Sequence, residues 1–214
     1  MIKTIRVMLI PNSKQKTKLF QYANTARFAY NWALGREKEN YANGGKFISD
    51  GDLRKEFTQL KKTNEYFWLN EISNNVTKQA IKDACNTYKR FFKGCSKFPK
   101  FKSRKNSVLS FYQDNVKLQF SNTHVKVEGF TTSKKKNKQR LNWIRLAEHN
   151  RIPTDCKYTN PRVKYDGLNW YLTVGIECED HVIVPLNEGI GIDLGIKDLA
   201  ICSDGNKYQN INKT

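Results

Sequence analysis

The sequence predicts an α+β fold in which a small antiparallel β-barrel of the OB-like kind carries an inserted helical bundle. Three observations favour this fold. Residues 2–10 alternate apolar and polar side chains, residues 14–93 show helical spacing, and residues 107–178 contain short alternating segments between turn residues. The 214 residues suffice for one domain or two small ones.

We divide the chain into four parts. Residues 1–12 form the first barrel strand, residues 13–106 the helical insertion, residues 107–184 the barrel, and residues 185–214 the start of a further unit. Residues 2–10 cannot form a stable sheet alone, so we place them in the barrel and treat the helices as an insertion between its first two strands.

The insertion is predicted as three amphipathic helices. The first spans about residues 14–41, and Asn12 or Ser13 can cap its start. The second and third span about residues 50–62 and 74–93, and each begins at residues that favour helix caps. Apolar residues three and four positions apart give each helix one face to bury.

The barrel strands are predicted from residues 116–120, 125–127, 141–146 and 170–178. The last of these alternates most regularly, so its apolar residues from Trp170 to Ile176 should share one face. The dipeptide Asp166-Gly167 just before it predicts a hairpin turn back to residues 162–164.

The charge points to a polyanionic partner. The chain has 38 Lys and Arg against 20 Asp and Glu, a net charge of +18. So much like charge destabilises a compact state, and nucleic acid is the usual partner that neutralises it. No run approaches 18 apolar residues and the N-terminus lacks a signal-peptide core, so we expect no membrane span and a cytoplasmic, nucleoid-associated location.

The five cysteines favour neither a disulfide framework nor a zinc site within this chain. Their number is odd, no two are spaced as a CxxC pair, and the three histidines are scattered.

Residues 88–105 hold eight basic residues, five aromatics and no acid. Lysine and arginine neutralise phosphates, while aromatic rings stack on unpaired bases. We expect Phe91 and Phe92 to belong to the core. The expected phosphate contacts are Lys97, Lys100, Lys102, Arg104 and Lys105. A second basic run, Lys134, Lys135 and Lys136, is either a solvated loop or a loop that follows a nucleic-acid backbone.

Asp193 lies within the apolar stretch 190–202, where we expect it to be buried. A buried carboxylate needs a cation or hydrogen bonds, so Asp193 is a candidate metal ligand, as in the first strand of ribonuclease-H-like nucleases that use two Mg²⁺ ions. Two alternatives remain: an aspartate that caps a turn, or the phosphate loop of actin-like ATPases. The latter usually has a hydroxyl residue where this chain has Ile196.

Four stretches together resemble a known family. Residues 26–32, 68–72, 88–102 and 191–205 are similar, in the same order, to the N-terminal part of the TnpB (OrfB) transposon-encoded proteins. These proteins are relatives of the type V CRISPR effector nucleases. The last stretch is the most specific, and the Phe-Pro-Lys-Phe-Lys segment at residues 98–102 comes next.

The resemblance implies an RNA-guided DNA endonuclease whose partners are a guide RNA and double-stranded target DNA. It implies a wedge barrel with a helical recognition insertion, followed by the first strands of an RNase H-like (RuvC) domain that uses Mg²⁺. Asp193 would be the first catalytic carboxylate and a metal ligand. The family places Asn74, Asn75, Lys78 and Gln79 where the flanking DNA motif is recognised, with Lys82 as a phosphate contact one turn further on.

The family pattern continues with a glutamate, a zinc ribbon and a further aspartate, none of which occurs here. We therefore expect an N-terminal portion that does not cut DNA alone and needs a C-terminal half or a second polypeptide. The alternative is a catalytically inactive RNA- or DNA-binding module, or a regulator, derived from such a nuclease.

Overall fold

The computed structural model describes residues 1–105, 107–130, 141–177 and 189–210. The chain divides into two compact units, Met1–Cys178 and Glu179–Thr214. The elements of the first unit are β1 (Ile2–Ile10), α1 (Ser13–Ala42), α2 (Asp50–Leu60), a 3₁₀ helix (Asn64–Glu71), α3 (Asn74–Phe92), β2 (Leu109–Tyr112), β3 (Gln119–Phe120), β4 (His124–Lys126), β5 (Trp143–Leu146), β6 (Tyr158–Tyr165) and β7 (Trp170–Glu177).

The seven strands of this unit form one antiparallel sheet in the order β2-β6-β7-β1-β5-β4-β3. β1 lies between β7 and β5, so the first strand of the chain is central to a sheet made largely of residues that follow the helices. β1 therefore pairs within the same sheet as the later strands, and the helices lie between β1 and β2 along the chain.

One face of the sheet is buried beneath α1. Phe111, Val163, Leu172 and Val7 lie side by side across four strands and are all buried. From α1, Tyr22 packs edge-on against Phe111, and other aromatic residues of the helix extend the contact. The alternation in residues 2–10 and 170–176 therefore marks this buried face, as predicted.

The three helices form a bundle with its own aromatic packing. Trp32 of α1 contacts Phe57 of α2 edge-on at 5.0 Å between ring centroids, and Phe28 contacts Trp68 of the 3₁₀ helix at 5.6 Å. The capping residues are Asn12, Ser49 and Ser73. Phe92 differs from the prediction: it is 54 % exposed, because its ring lies on the surface against Tyr88 at the end of α3.

The sheet is not a closed barrel. Its outer strands β2 and β3 are four and two residues long, and no pairing joins them within the described residues. Barrel closure needs every strand to pair on both sides. The predicted strand at 116–120 is also shorter, because the Asp114 carboxylate accepts the backbone N–H groups of Val116 and Lys117 and holds them in a turn.

The second unit contains β8 (Ile192–Asp193), β9 (Asp198–Cys202) and β10 (Lys207–Gln209) in an antiparallel sheet of order β10-β9-β8. Its assignment to an RNase H-like domain stays a prediction. A membrane-crossing helix is not found anywhere in the described residues, since none of their helices combines the necessary length and apolarity.

Candidate nucleic-acid interface

An open groove of about 430 Å³ lies between α2, the 3₁₀ helix and the start of α3. We call it the α2–α3 groove. It is lined by Arg54, Phe57, Thr58, Lys61, Lys62, Phe67, Asn70, Asn74, Thr77, Lys78 and Ile81. Four of these are cations and none is an acid. Only Arg54 has a carboxylate partner among the described ion pairs, Asp50 at 3.2 Å. The groove therefore combines positive charge with an exposed ring, that of Phe67.

A polar network fixes the floor of the groove. Lys61 follows α2 and is 6 % exposed, and its Nζ donates to Asn74 Oδ1 at 2.7 Å. The Asn70 amide donates in turn to the Lys61 carbonyl oxygen at 3.1 Å. Burial lowers the pKa of Lys61 below its ordinary value. The network thereby ties the end of α2 to the start of α3, although thirteen residues separate its two ends along the chain.

The candidates on α3 divide into two groups. Asn74, Lys78 and Lys82 are exposed, and Asn74 and Lys78 line the groove. The other two are engaged within the protein, because the Asn75 amide donates to Glu128 at 3.2 Å and the Gln79 amide donates to Asp83 at 2.8 Å. Spacing of four residues places Lys78 and Lys82 on one side of the helix, beside the groove.

The segment 88–105, which we call the lysine–aromatic segment, begins in α3 and continues as an irregular chain. Its exposed rings are Phe92, Phe98 and Phe101, and Phe98 packs edge-on against Tyr88 at 5.8 Å. The four exposed cations predicted to contact phosphate are Lys97, Lys100, Arg104 and Lys105. Exposed aromatic and cationic residues therefore alternate along this segment, a pattern typical of single-stranded nucleic-acid binding.

Lys102 is placed differently from its neighbours. The side chain of Asn31 in α1 makes two hydrogen bonds to the Lys102 backbone, donating to its carbonyl oxygen at 2.9 Å and accepting from its N–H at 2.8 Å. Lys102 Nζ lies 3.9 Å from the ring centre of Tyr30, and burial lowers its pKa. Residues 26–32 and 88–102, two of the stretches that carry the family resemblance, thus contact each other directly.

A half-buried cluster of charges adjoins this contact. Arg162 of β6 makes a bidentate ion pair with Asp83 of α3, at 2.6 and 3.0 Å. Arg27 and Lys102 line the same small cavity, and Arg27 Nη1 is buried without a hydrogen-bond partner in the described part of the chain. The cluster has an excess of two positive charges, three cations against Asp83.

The face of the sheet opposite α1 is polar and cationic. Arg6 packs over the ring of Tyr171 at 3.8 Å, and Lys164 lies beside Tyr171 in the register of β6 and β7. Asp166 is 4.0 Å from Arg6. The alternation of apolar and polar residues predicts that these side chains point away from the core. The strand order then shows that they lie on one face of the sheet.

Asp193 is exposed, which corrects the expectation that it is buried. It ends the two-residue strand β8 opposite Ile201, and its apolar neighbours Ile192 and Leu194 are exposed as well. A short sheet has two faces to cover, so apolar composition alone does not bury its side chains. In the described residues, no three His, Cys, Asp or Glu side chains come together as a possible metal site.

Lys134, Lys135 and Lys136 lie outside the described residues. Conversely, the structure adds Arg54, Lys61 and Lys62 to the candidate interface, which the sequence alone did not reveal. The adjacent lysines Lys61 and Lys62, directly after α2, are the feature of the sequence that could have indicated this part of the interface. Their significance depends on α2 and α3 meeting at these ends, which composition and periodicity do not specify.

Comparison with known protein families finds a match at the start of the chain. The OrfB/IS605 helix-turn-helix domain family matches residues 1–46. In this structure those residues form β1, the single long helix α1 and the turn that follows it.

Two curated relatives align along almost the whole chain. The "Putative RNA-guided DNA endonuclease InsQ" of Escherichia coli K12 is 27 % identical over 212 residues, covering 99 % of this chain and 50 % of the relative. The "Putative RNA-guided DNA endonuclease" of Streptomyces pristinaespiralis is 27 % identical, covering 97 % and 50 %. The chain thus spans about half the length of these relatives. Among solved structures, a CRISPR-Cas12f ternary complex aligns with a TM-score of 0.46 and 13 % identity, covering 91 % of this chain and 48 % of that one.

Proposed function

Because the chain belongs to the TnpB/OrfB family of transposon-encoded proteins, we propose that it binds a guide RNA and double-stranded target DNA. The proposed function of this binding is to direct an RNA-guided DNA endonuclease to its target DNA. The relatives that align along the chain carry that description in their names.

The observation that supports this proposal most is the α2–α3 groove, with four cations and no acid among its lining residues. In a chain with 20 acidic residues, a continuous acid-free lining favours an anionic ligand. Lys78 and Lys82 extend the positive charge along α3 beside the groove. Each phosphate that they contact would release a condensed counterion, which is the main driving force for such binding.

The two surfaces suit different parts of a nucleic acid. We assign duplex DNA to the α2–α3 groove, because its polar amide and lysines suit base edges and backbone phosphates. We assign RNA to the lysine–aromatic segment, because its exposed rings can stack only on bases that are not paired in a duplex. Lys134, Lys135 and Lys136 are proposed as further backbone contacts.

Asp193 is proposed as the first metal-binding carboxylate of a RuvC-type site that cleaves DNA with Mg²⁺. Two-metal cleavage needs several ligands that clamp the attacking and leaving oxygens. The described residues offer Asp193 without a cluster around it. The remaining ligands would have to come from outside the described residues, from a C-terminal half or from a second polypeptide.

A second candidate function is binding without cleavage, as an RNA- or DNA-binding module or regulator. The exposed position of Asp193 is the observation behind this alternative for the chain alone. The two candidates share the binding surfaces and differ only in what happens to the DNA.

Binding is tested by filter retention of the purified chain with a structured RNA of about 100 nucleotides and with a 30-base-pair duplex. The triple variant Lys62→Met, Lys78→Met, Lys82→Met removes three charges at the groove. The matched control, Lys14→Met, Lys16→Met, Lys46→Met, removes three exposed charges elsewhere. We expect the groove variant to weaken duplex binding about tenfold more than the control. Equal losses would overturn the assignment of DNA to the groove.

Cleavage is tested separately by incubating the chain, a guide RNA and a plasmid that carries the matching sequence with Mg²⁺. Nicking that is lost in Asp193→Asn supports the nuclease role. Tight binding of RNA and plasmid without nicking supports the binding module for this chain.

A further inference from the structure

We propose that Lys61 is a positioning residue that turns the Asn74 amide so that its NH₂ group faces the α2–α3 groove, and that the groove therefore selects bases presenting hydrogen-bond acceptors. This inference rests on the proposed function, because it assumes that duplex DNA occupies the groove.

The first step is the chemistry of the contact. An asparagine amide has one acceptor oxygen and one donor NH₂ group, and either end can face a neighbour. A lysine ammonium has three donors and no acceptor. Lys61 Nζ lies 2.7 Å from the amide, so only the oxygen of Asn74 can face it. Rotating the amide by a half turn would bring two donors together around a buried charge.

The second step is the rigidity of Lys61. Its side chain is almost entirely buried and lies over the ring of Phe57 at 5.6 Å. Its backbone is held at both ends, because its N–H donates to the Phe57 carbonyl and its carbonyl accepts from Asn70. No carboxylate pairs with Lys61 among the described residues, so Asn74 Oδ1 is an important acceptor for this ammonium. The Asn74 amide therefore prefers the orientation in which its oxygen faces the Lys61 ammonium.

The third step is the direction of the free NH₂ group. Asn74 is exposed at the first turn of α3 and lines the groove. Its Nδ2 has no hydrogen-bond partner among the described residues. The groove is thus given a fixed donor, flanked by the cations of Lys62 and Lys78. A free amide could pair with adenine through both of its ends, but here the oxygen is turned away.

The consequence is a base preference. In the major groove guanine presents two acceptors and thymine presents one, whereas cytosine presents only a donor. A fixed NH₂ donor therefore favours guanine or thymine over cytosine at the position that it contacts. We expect a preference of about fivefold, the lower end of what one base contact supplies.

The experiment measures base enrichment rather than affinity alone. The purified 214-residue chain selects duplexes from a 30-base-pair DNA library with eight randomised central positions, and bound and input pools are sequenced. Wild type should deplete cytosine at one position about fivefold. Lys61→Met should lose that depletion because the amide can rotate, whereas Lys61→Arg, again a donor without an acceptor, should retain it.

The matched control is Lys62→Met, which removes one charge from the same groove without touching the amide. It should weaken binding as much as Lys61→Met yet keep the cytosine depletion. Asn74→Asp should reverse the preference, because a carboxylate offers only acceptors and pairs with the cytosine amino group. This variant keeps Lys61 paired, so it remains informative even if Lys61→Met unfolds, which circular dichroism would show.

The outcomes separate the two proposals. If wild type retains no duplex, the proposed function fails. If wild type binds duplex but enriches all bases equally, or if Lys61→Met and Asn74→Asp both keep the wild-type preference, the positioning role of Lys61 is wrong while DNA binding stands.

Discussion

At the scale of single residues, the tightest packing occurs where α1 meets the sheet. Tyr22 is fully buried, with the rings of Phe111 and Phe130 at 5.3 and 5.2 Å. A Cβ added to Gly129 would lie 2.3 Å from the Tyr22 hydroxyl oxygen, and Gly129 has a φ of +76°. Gly94, which follows α3, has a φ of +72° but open space around it. Alanine substitutions at the two positions therefore distinguish two costs: backbone strain alone at Gly94, and backbone strain together with a steric clash at Gly129.

We predict that Gly94→Ala lowers the free energy of unfolding by about 1 kcal/mol, the usual cost of a left-handed alanine. Gly129→Ala should cost about 2 kcal/mol more, because the methyl group also displaces the Tyr22 ring. Urea denaturation followed by circular dichroism measures both. Equal losses would show that the Tyr22 hydroxyl moves aside freely.

Glu37 gives the fold a pH-dependent term. It is buried in α1, where its Oε2 accepts the Ile48 N–H at 3.3 Å and its Oε1 has no partner in the described residues. Burial raises the pKa of Glu37 above its ordinary value of 4.5. The charged form is therefore less favourable in the folded state, so this cost is absent below pH 4.5 and grows until the pH passes the raised pKa.

We expect Glu37→Gln to raise the melting temperature at pH 7 and to leave it unchanged at pH 4. The neutral amide keeps an acceptor for Ile48 and removes the buried charge. Thermal unfolding of wild type and variant at both pH values tests this, with the exposed Glu71→Gln as control. A gain of the same size at both pH values would mean that burial of charge is not the cause.

At the scale of elements, the start of α1 connects the helix to the sheet. Asn12 Oδ1 accepts the Gln15 N–H at 2.9 Å, and Gln15 Oε1 accepts the Asn12 N–H at 3.0 Å, which completes a capping box. The Gln15 amide also donates to the carbonyl oxygens of Leu141 and Trp143. Gln15 therefore satisfies polar groups of both a helix and the chain entering β5.

We predict that Asn12→Ala lowers the free energy of unfolding by about 1 kcal/mol, as for other lost caps. Gln15→Ala should cost about 2–3 kcal/mol, since it also leaves two partly buried carbonyl groups without a donor. Ser13→Ala, the alternative cap on sequence grounds, should change stability by less than about 0.5 kcal/mol. Urea titration ranks the three variants, and a larger loss for Ser13→Ala would contradict the observed cap.

At the scale of the whole molecule, the charge of +18 is distributed unevenly. Internal ion pairs neutralise part of it, as for Arg36 with Glu56 and Arg162 with Asp83. The α2–α3 groove and the lysine–aromatic segment retain cations for which the structure gives no acidic partner among the described residues, apart from Arg54. These two surfaces, rather than total charge, should determine where nucleic acid binds.

We expect RNA affinity to fall steeply with salt, with a slope of about −4 in log K against log salt if six phosphates are contacted. Removing charge at Lys97, Lys100 and Arg104 together should weaken RNA binding more than the same change at Lys134, Lys135 and Lys136. Lys102 is left intact because its ammonium lies against Tyr30. Filter binding between 50 and 300 mM salt measures both effects. A flat salt dependence, or equal losses, would contradict this ranking.

Local pattern was sufficient for much of the fold and for the kind of partner. The helices, the buried faces of β1 and β7, the hairpin at Asp166-Gly167 and the cap at Asn12 all follow from periodicity and turn chemistry, which act over a few residues. The excess of basic residues indicates nucleic acid for a similar reason, because net charge is a property of composition.

Tertiary structure alone decided which strands pair, whether the sheet closes, and which candidate side chains are exposed. Whether the sheet becomes a barrel depends on pairing between β2 and β3, and the exposure of Asp193 depends on what covers a short sheet. The contacts of Lys61 with Asn74 and of Asn31 with Lys102 join residues 13 and 71 positions apart. Such contacts depend on how whole elements pack, because neither partner influences the local backbone preference of the other.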